Sequence, residues 1–172
     1  GGNVSFYNES PRGAVYPTPV VGMVGILEDI EHRIPSFFQK PGDEIYVIGK
    51  TGNDLGATQY LAIVHNIKSG KVPALDLERE ALLHEFMLAA SKEQLLSSAH
   101  DVSDGGLAVA IAECLFGKRG HPLGATISLT DLKDPEVRTD ALLFGETASR
   151  IVVSVDPKYD FLFFRPTLIF IV

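Results

Sequence analysis

His100-Asp101-Val102-Ser103-Asp104-Gly105-Gly106-Leu107-Ala108-Val109-Ala110-Ile111-Ala112-Glu113-Cys114 joins two local patterns across one acidic, glycine-bearing turn. Before it, Leu95-Leu96-Ser97-Ser98-Ala99 reads as the end of a helix entering a short buried strand. After it, Leu107, Ala110, Ile111, Cys114 and Leu115 recur at helical spacing as one apolar stripe. Asp104 stands where an N-cap belongs, and two glycines open the helix. A strand–turn–helix of this kind exposes unpaired backbone N–H groups at a positive helix end, which suits a phosphate. Asp101 and Asp104 would repel a bare phosphate, but their carboxylates suit a magnesium ion that accompanies one. The same residues equally describe an ordinary capped βα turn.

Outward from this turn, Asp76 to Gln94 is the longest periodic segment. Leu82, Leu83, Phe86, Met87, Ala89 and Ala90 form its expected buried face, with glutamates and Arg79 toward solvent. Upstream, Glu44 to Gly49 is a β-branched strand of the buried type. The polar turn Thr51 to Gly56 follows, then a helix through Tyr60, Ile63, Val64 and Ile67 that stops at Ser69-Gly70. Val20 to Leu27, with glycines at 22 and 25, predicts another strand, in which the glycines permit close approach of a second backbone. Downstream, 125–129 predicts a strand, Pro135 to Leu143 a short helix started by Asp134, and Ile151 to Val155 the last clear strand. The fold class is therefore α+β, a mixed β-sheet covered by helices.

The remaining stretches set boundaries. Gly1 to Pro19 is rich in turn residues and prolines, and is read as the end of a preceding unit running into an extended linker. Residues 20–155 form the main domain. Residues 156–172 are an atypical apolar tail, split by Arg165-Pro166, that needs burial or strand pairing to avoid aggregation. Neither half of that tail approaches the roughly twenty residues of a membrane span.

Composition narrows the function classes. In 172 residues, 45% are hydrophobic and 22% charged, as in a soluble globular protein with a real core. A net charge of −7, from 15 basic and 22 acidic side chains, argues against nucleic acid as a partner. The one cysteine, Cys114, excludes an internal disulfide and makes a reducing cytoplasm the natural compartment. It lies on an apolar stripe, so it reads as a buried structural thiol rather than a nucleophile. His32, His65, His84 and His121 show no ligand spacing.

Three segments carry a family resemblance. Gly1-Gly2-Asn3-Val4-Ser5-Phe6-Tyr7-Asn8-Glu9 is similar to the Gly-Asn-Val-Ser-Leu-Tyr-Asn-Glu signature of the phosphoribosylformylglycinamidine synthase family, in its large synthetase subunit. His100 to Glu113 resembles the His-Asp-x-Ser-Asp-Gly-Gly-Leu segment of that family's C-terminal domain. Leu143-Phe144-Gly145-Glu146-Thr147-Ala148-Ser149-Arg150 resembles its Phe-Gly-Glu-Ser/Thr-x-x-Arg segment ahead of a strand. The order and spacing of the three also agree, over about Gly1 to Val155. Aminoimidazole ribonucleotide synthetase and selenophosphate synthetase share this superfamily and are the nearest enzymatic alternatives.

The resemblance implies a C-terminal fragment with an aminoimidazole ribonucleotide synthetase C-terminal-domain-like fold, inactive alone. It implies an ATP- and Mg2+-dependent ligase that turns formylglycinamide ribonucleotide and glutamine-derived ammonia into formylglycinamidine ribonucleotide, ADP and phosphate. The implied partners are a glutaminase subunit, a small accessory subunit and the rest of the synthetase subunit. By the same carry-over Gly2 approaches nucleotide, Asn3 ligates magnesium and Ser5 contacts substrate, while no residue of this chain is assigned a catalytic step. Asp101, Asp104 and Glu146 are then an auxiliary or vestigial nucleotide–magnesium site. A non-catalytic docking domain that completes the subunit is the reading from another class. The tail departs from the family, where an amphipathic, charged helix is expected after Asp156.

Overall fold

The computed structural model describes residues 9–11, 13–14, 21–116, 123–129 and 134–162. Gly2, Asn3 and Ser5, and most of the apolar tail, lie outside the described residues. Two short strands, β1 (Glu9–Ser10) and β2 (Gly13–Ala14), pair as a hairpin. The main sheet has three strands, β3 (Glu44–Ile48), β4 (Ser98–Asp101) and β5 (Ile151–Val155), in the order β3-β5-β4. Between β3 and β4 run α1 (Gln59–Val64) and α2 (Leu77–Lys92); between β4 and β5 run α3 (Gly106–Phe116) and α4 (Thr139–Phe144).

The alternation of β3 and β5 divides the core in two. Ile45 and Val47 of β3, with Val152 of β5, face Leu107, Ala110, Ile111 and Cys114 of α3 and Leu142 of α4. Tyr46, Val153 and Val155 face the other way, against Ala90 of α2 and Leu96. A sheet apolar on both faces needs a helical layer on each, and the chain supplies both. Each fully buried Val, Leu or Ile contributes about 1.5–3 kcal/mol from removal of apolar surface. The stripe read on α3 is the buried one, and burial of Cys114 pushes its thiol up to about 12, as expected of a structural cysteine.

Several local expectations are corrected. The α+β class holds, but among the described residues the sheet is antiparallel rather than mixed, with Tyr46 opposite Val153 and His100 opposite Val152. β5 inserts between β3 and β4 and runs against each, an arrangement that side-chain periodicity does not encode. Residues 21–27 pair with nothing among the described residues, and Val21, Met23, Val24 and Ile26 are exposed. Strand propensity there has no neighbouring backbone to act through. Residues 125–129 likewise form no strand, although Ile127 and Leu129 pack on the α3 core.

The helices also differ in detail. On α2 the buried residues are Leu83 and Ala90, with Met87 packed between them, while Leu82, Phe86 and Ala89 are exposed. The helix buries a narrower stripe than its composition suggests. α1 ends at Val64, short of Ser69-Gly70, because Asn66 adopts φ 54 and Ile67 N–H returns to Leu61 O at 2.9 Å. α4 starts at Thr139 because Asp134 is spent on an Asx turn that accepts from Glu136 N at 2.9 Å.

Candidate functional site

Three connections meet at one end of the sheet: the turn after β4, the loop from Gly49 to Thr58 after β3, and residues 145–150 before β5. Antiparallel order puts the exits of β3 and β4 beside the entrance of β5, so the aspartate–glycine turn and the Gly-Glu-Thr turn are neighbours. Gly106, at φ +76, brings α3 so close that an added Cβ would lie 2.7 Å from the carbonyl oxygen of Gly145. Its glycine is required by both conformation and space.

Glu146 joins the parts. Its Oε1 accepts the N–H of Gly105 at 2.9 Å and the N–H of Gln59 at 2.8 Å. One carboxylate oxygen therefore sits at the amino ends of both α3 and α1, where backbone N–H groups and the helix dipoles favour an anion. Thr58 caps α1 as well, accepting from Leu61 N at 3.3 Å. Asp104 does not serve as the expected cap: its side chain is exposed and makes no cap bond among the described residues, and Glu146 meets the Gly105 N–H from 41 residues away. The anion seat at this turn is thus taken by the protein's own carboxylate.

A second set of contacts holds the loops together. Thr147 Oγ1 donates to Asp54 Oδ2 at 2.7 Å and accepts from Gly52 N at 3.1 Å. Asn53 spans to the start of α4, donating to Glu136 O at 2.7 Å and accepting from Arg138 N at 2.9 Å. Buried Arg150 donates to the carbonyls of Gly145 (2.6 Å) and Thr147 (3.0 Å) and to Thr51 Oγ1 (3.2 Å). Burial lowers its guanidinium to about 10, an effect opposed by nearby Asp54, and it remains charged at neutral pH. Neither Arg150 nor the Thr51–Gly56 turn carries a role legible from the sequence; an arginine set directly before an apolar strand is the available signal.

Asp101 stands apart. Its side chain is 73% exposed. The neighbouring His100 is mostly buried, with Nδ1 2.7 Å from the backbone oxygen of Asp101, so Nδ1 carries the proton. His100 Nε2 lies 3.4 Å from Glu113. Among the described residues no group of three or more His, Cys, Asp or Glu side chains could hold a metal ion. Asp101, Asp104 and Glu146 form no such group, and Glu146 Oε1 is engaged by two backbone N–H groups. The arrangement is that of a carboxylate-plugged structural junction.

Residues 40–163 match the family AIR synthase related protein, C-terminal domain. The chain is similar to phosphoribosylformylglycinamidine synthase subunit PurL of Moorella thermoacetica, 46% identical over 158 residues, covering 92% of this chain and 21% of that protein. The subunit PurL of Alkaliphilus metalliredigens is 40% identical over 158 residues, with 92% and 20% covered. The chain spans about a fifth of the length of these curated relatives. Among solved structures, T. maritima PurL complexed with FGAR superposes with a TM-score of 0.64 at 25% identity, covering 76% of this chain and 22% of that one. T. maritima PurL complexed with ATP, at 23% identity and a TM-score of 0.58, covers 83% and 23% and shares the fold.

Proposed function

This chain belongs to the AIR synthase related family, in its C-terminal domain, and from that premise we propose that it is part of an ATP-dependent phosphoribosylformylglycinamidine synthase. The observation that carries the proposal is 46% identity across 92% of the chain to the Moorella thermoacetica subunit PurL. In the proposed reaction ATP phosphorylates the amide oxygen of formylglycinamide ribonucleotide and releases ADP. Ammonia derived from glutamine then displaces phosphate to leave the amidine. The T. maritima PurL complex with FGAR and the complex with ATP support these two reactants. The PurLQS structure from Thermotoga maritima supports an assembly with further subunits, read here as the glutaminase and the small accessory subunit.

Within that enzyme, residues 1–19 are read as the end of a preceding domain, with Gly2, Asn3 and Ser5 at the edge of the nucleotide, magnesium and substrate pocket. Residues 20–155 are read as the second C-terminal domain. Its Asp101–Gly106 turn is assigned a vestigial nucleotide site, because Glu146 already takes the Gly105 N–H of that turn and, with the same oxygen, the Gln59 N–H of α1. The chain alone is expected to be inactive, and the compartment is taken as the cytoplasm.

Two experiments test this reading. Exchanging the corresponding segment of the Moorella thermoacetica subunit for this chain should preserve ATP-dependent formation of formylglycinamidine ribonucleotide. A folded chimera that binds its partners and forms no amidine overturns the assignment. Titration of Mg–ATP into the 172-residue chain should give the same isotherm for the wild type and for Asp101→Ala. Saturable binding lost in Asp101→Ala would mean the turn is a working nucleotide site.

A further inference from the structure

A groove of about 480 Å³ lies between the exit of β3 and α2, and the proposed reaction does not use it. Ile48, Leu82, Leu83 and Phe86 give it an apolar wall, with Lys50 and Arg79 as its charged lining. No carboxylate lines it among the described residues. Leu82 is 66% exposed and Phe86 37%, although the apolar period of α2 marks both for burial. Lys50 and Arg79 are exposed and make no ion pair among the described residues. Arg79 also stands in the first turn of α2, just after the Asp76 cap, where the helix dipole disfavours a cation. Glu80 is the acid beside the groove; its carboxylate accepts from the lining Ser149 hydroxyl and lies 2.9 Å from His84 Nε2. Two cations against this one carboxylate leave a local surplus of positive charge, on a chain whose net charge is −7.

We propose that this groove binds a small organic monocarboxylate with an aromatic or branched apolar body. The body covers Leu82 and Phe86 and removes their apolar surface from water. The carboxylate is taken by Arg79 and Lys50: the guanidinium fork matches two carboxylate oxygens, and the ammonium adds a point charge. A monoanion balances the surplus charge, whereas a dianion such as a phosphate monoester is repelled more strongly by Glu80. The volume is that of a small-ligand site. This site is separate from the proposed synthase chemistry and does not depend on it.

Calorimetric titration of the 172-residue chain with naphthylacetate and its neutral isostere naphthylacetamide tests the site. Saturable binding of naphthylacetate, about fivefold tighter than the amide, is expected, because two solvent-flanked ion pairs are at stake. The double variant Lys50→Gln/Arg79→Gln should lose that preference, and Leu82→Gln should weaken both ligands alike. All three positions are exposed, so these variants keep the fold. Equal affinities for the two ligands in the wild type, no saturable binding at millimolar concentration, or a preference that survives the double variant overturns the proposal. Tighter binding of naphthyl phosphate than of naphthylacetate overturns the choice of a monocarboxylate.

Discussion

Glu146 is the side chain on which the site turns. The sequence places it in an auxiliary or vestigial nucleotide–magnesium site, and in the structure it receives two backbone N–H groups from residues 41 and 87 positions away. Its chemistry was legible and its partner was not: a carboxylate near a helix start suits either a cation or the helix itself, and only distance decides. Removing it should therefore cost stability rather than metal affinity. Glu146→Ala is expected to lower the free energy of unfolding by about 2 kcal/mol, mainly because the buried Gly105 N–H loses a charged acceptor, with a smaller share from the exposed Gln59 N–H. Glu146→Gln, which keeps an acceptor oxygen, should lose roughly half as much. Urea unfolding of the three proteins checks the order; an unchanged midpoint in Glu146→Ala would remove the structural role.

At the scale of elements, the strongest expectations were those with dense local coding. α3 and its stripe, β3, β5 and the start of α2 at Asp76 follow from apolar period alone. Asp76 accepts from Glu78 N at 3.1 Å and Arg79 N at 3.0 Å, as its place ahead of the helix suggests. The approach of α3 to the 144–145 backbone is different, because it depends on one residue lacking a side chain. In Gly106→Ala the new Cβ would meet Gly145 O and the carbonyl carbon of Phe144, both at 2.7 Å, in a backbone conformation with φ +76. Left-handed strain of about 1–2 kcal/mol plus the clash predicts a loss of roughly 3 kcal/mol. Thermal unfolding measures it, and a variant within about 0.5 kcal/mol of wild type would mean that α3 can move away freely.

At the scale of the molecule, the two ends of the sheet are closed by different chemistry. One is locked by Glu146 and Arg150. At the other, Lys40, ahead of β3, and Asp156, just after β5, form an exposed ion pair at 2.7 Å. The hydrogen bond from Lys40 and that from Lys158 N hold the Asp156 carboxyl down at about 2. An unfolded aspartate titrates near 3.9. The folded value is the lower one, so the stabilisation from Asp156 is present in full above about pH 4 and is lost as pH falls toward 2. Asp156→Asn should flatten that part of the acid limb in a pH series of unfolding midpoints, and an unaltered slope would show that the pair does not form in solution.

Read alone, the sequence determined the local grammar of this protein: the α3 stripe, two core strands, the extent of α2 and the three motifs whose likeness pointed to the family. These are fixed by propensities and periods that act within a few residues. Only the tertiary structure decided that β5 runs antiparallel between β3 and β4, that residues 21–27 find no strand partner among the described residues, and that Glu146 fills the anion seat of the glycine turn. Each of those outcomes depends on which distant backbone comes within hydrogen-bonding reach, and that is settled by packing both faces of one sheet at once.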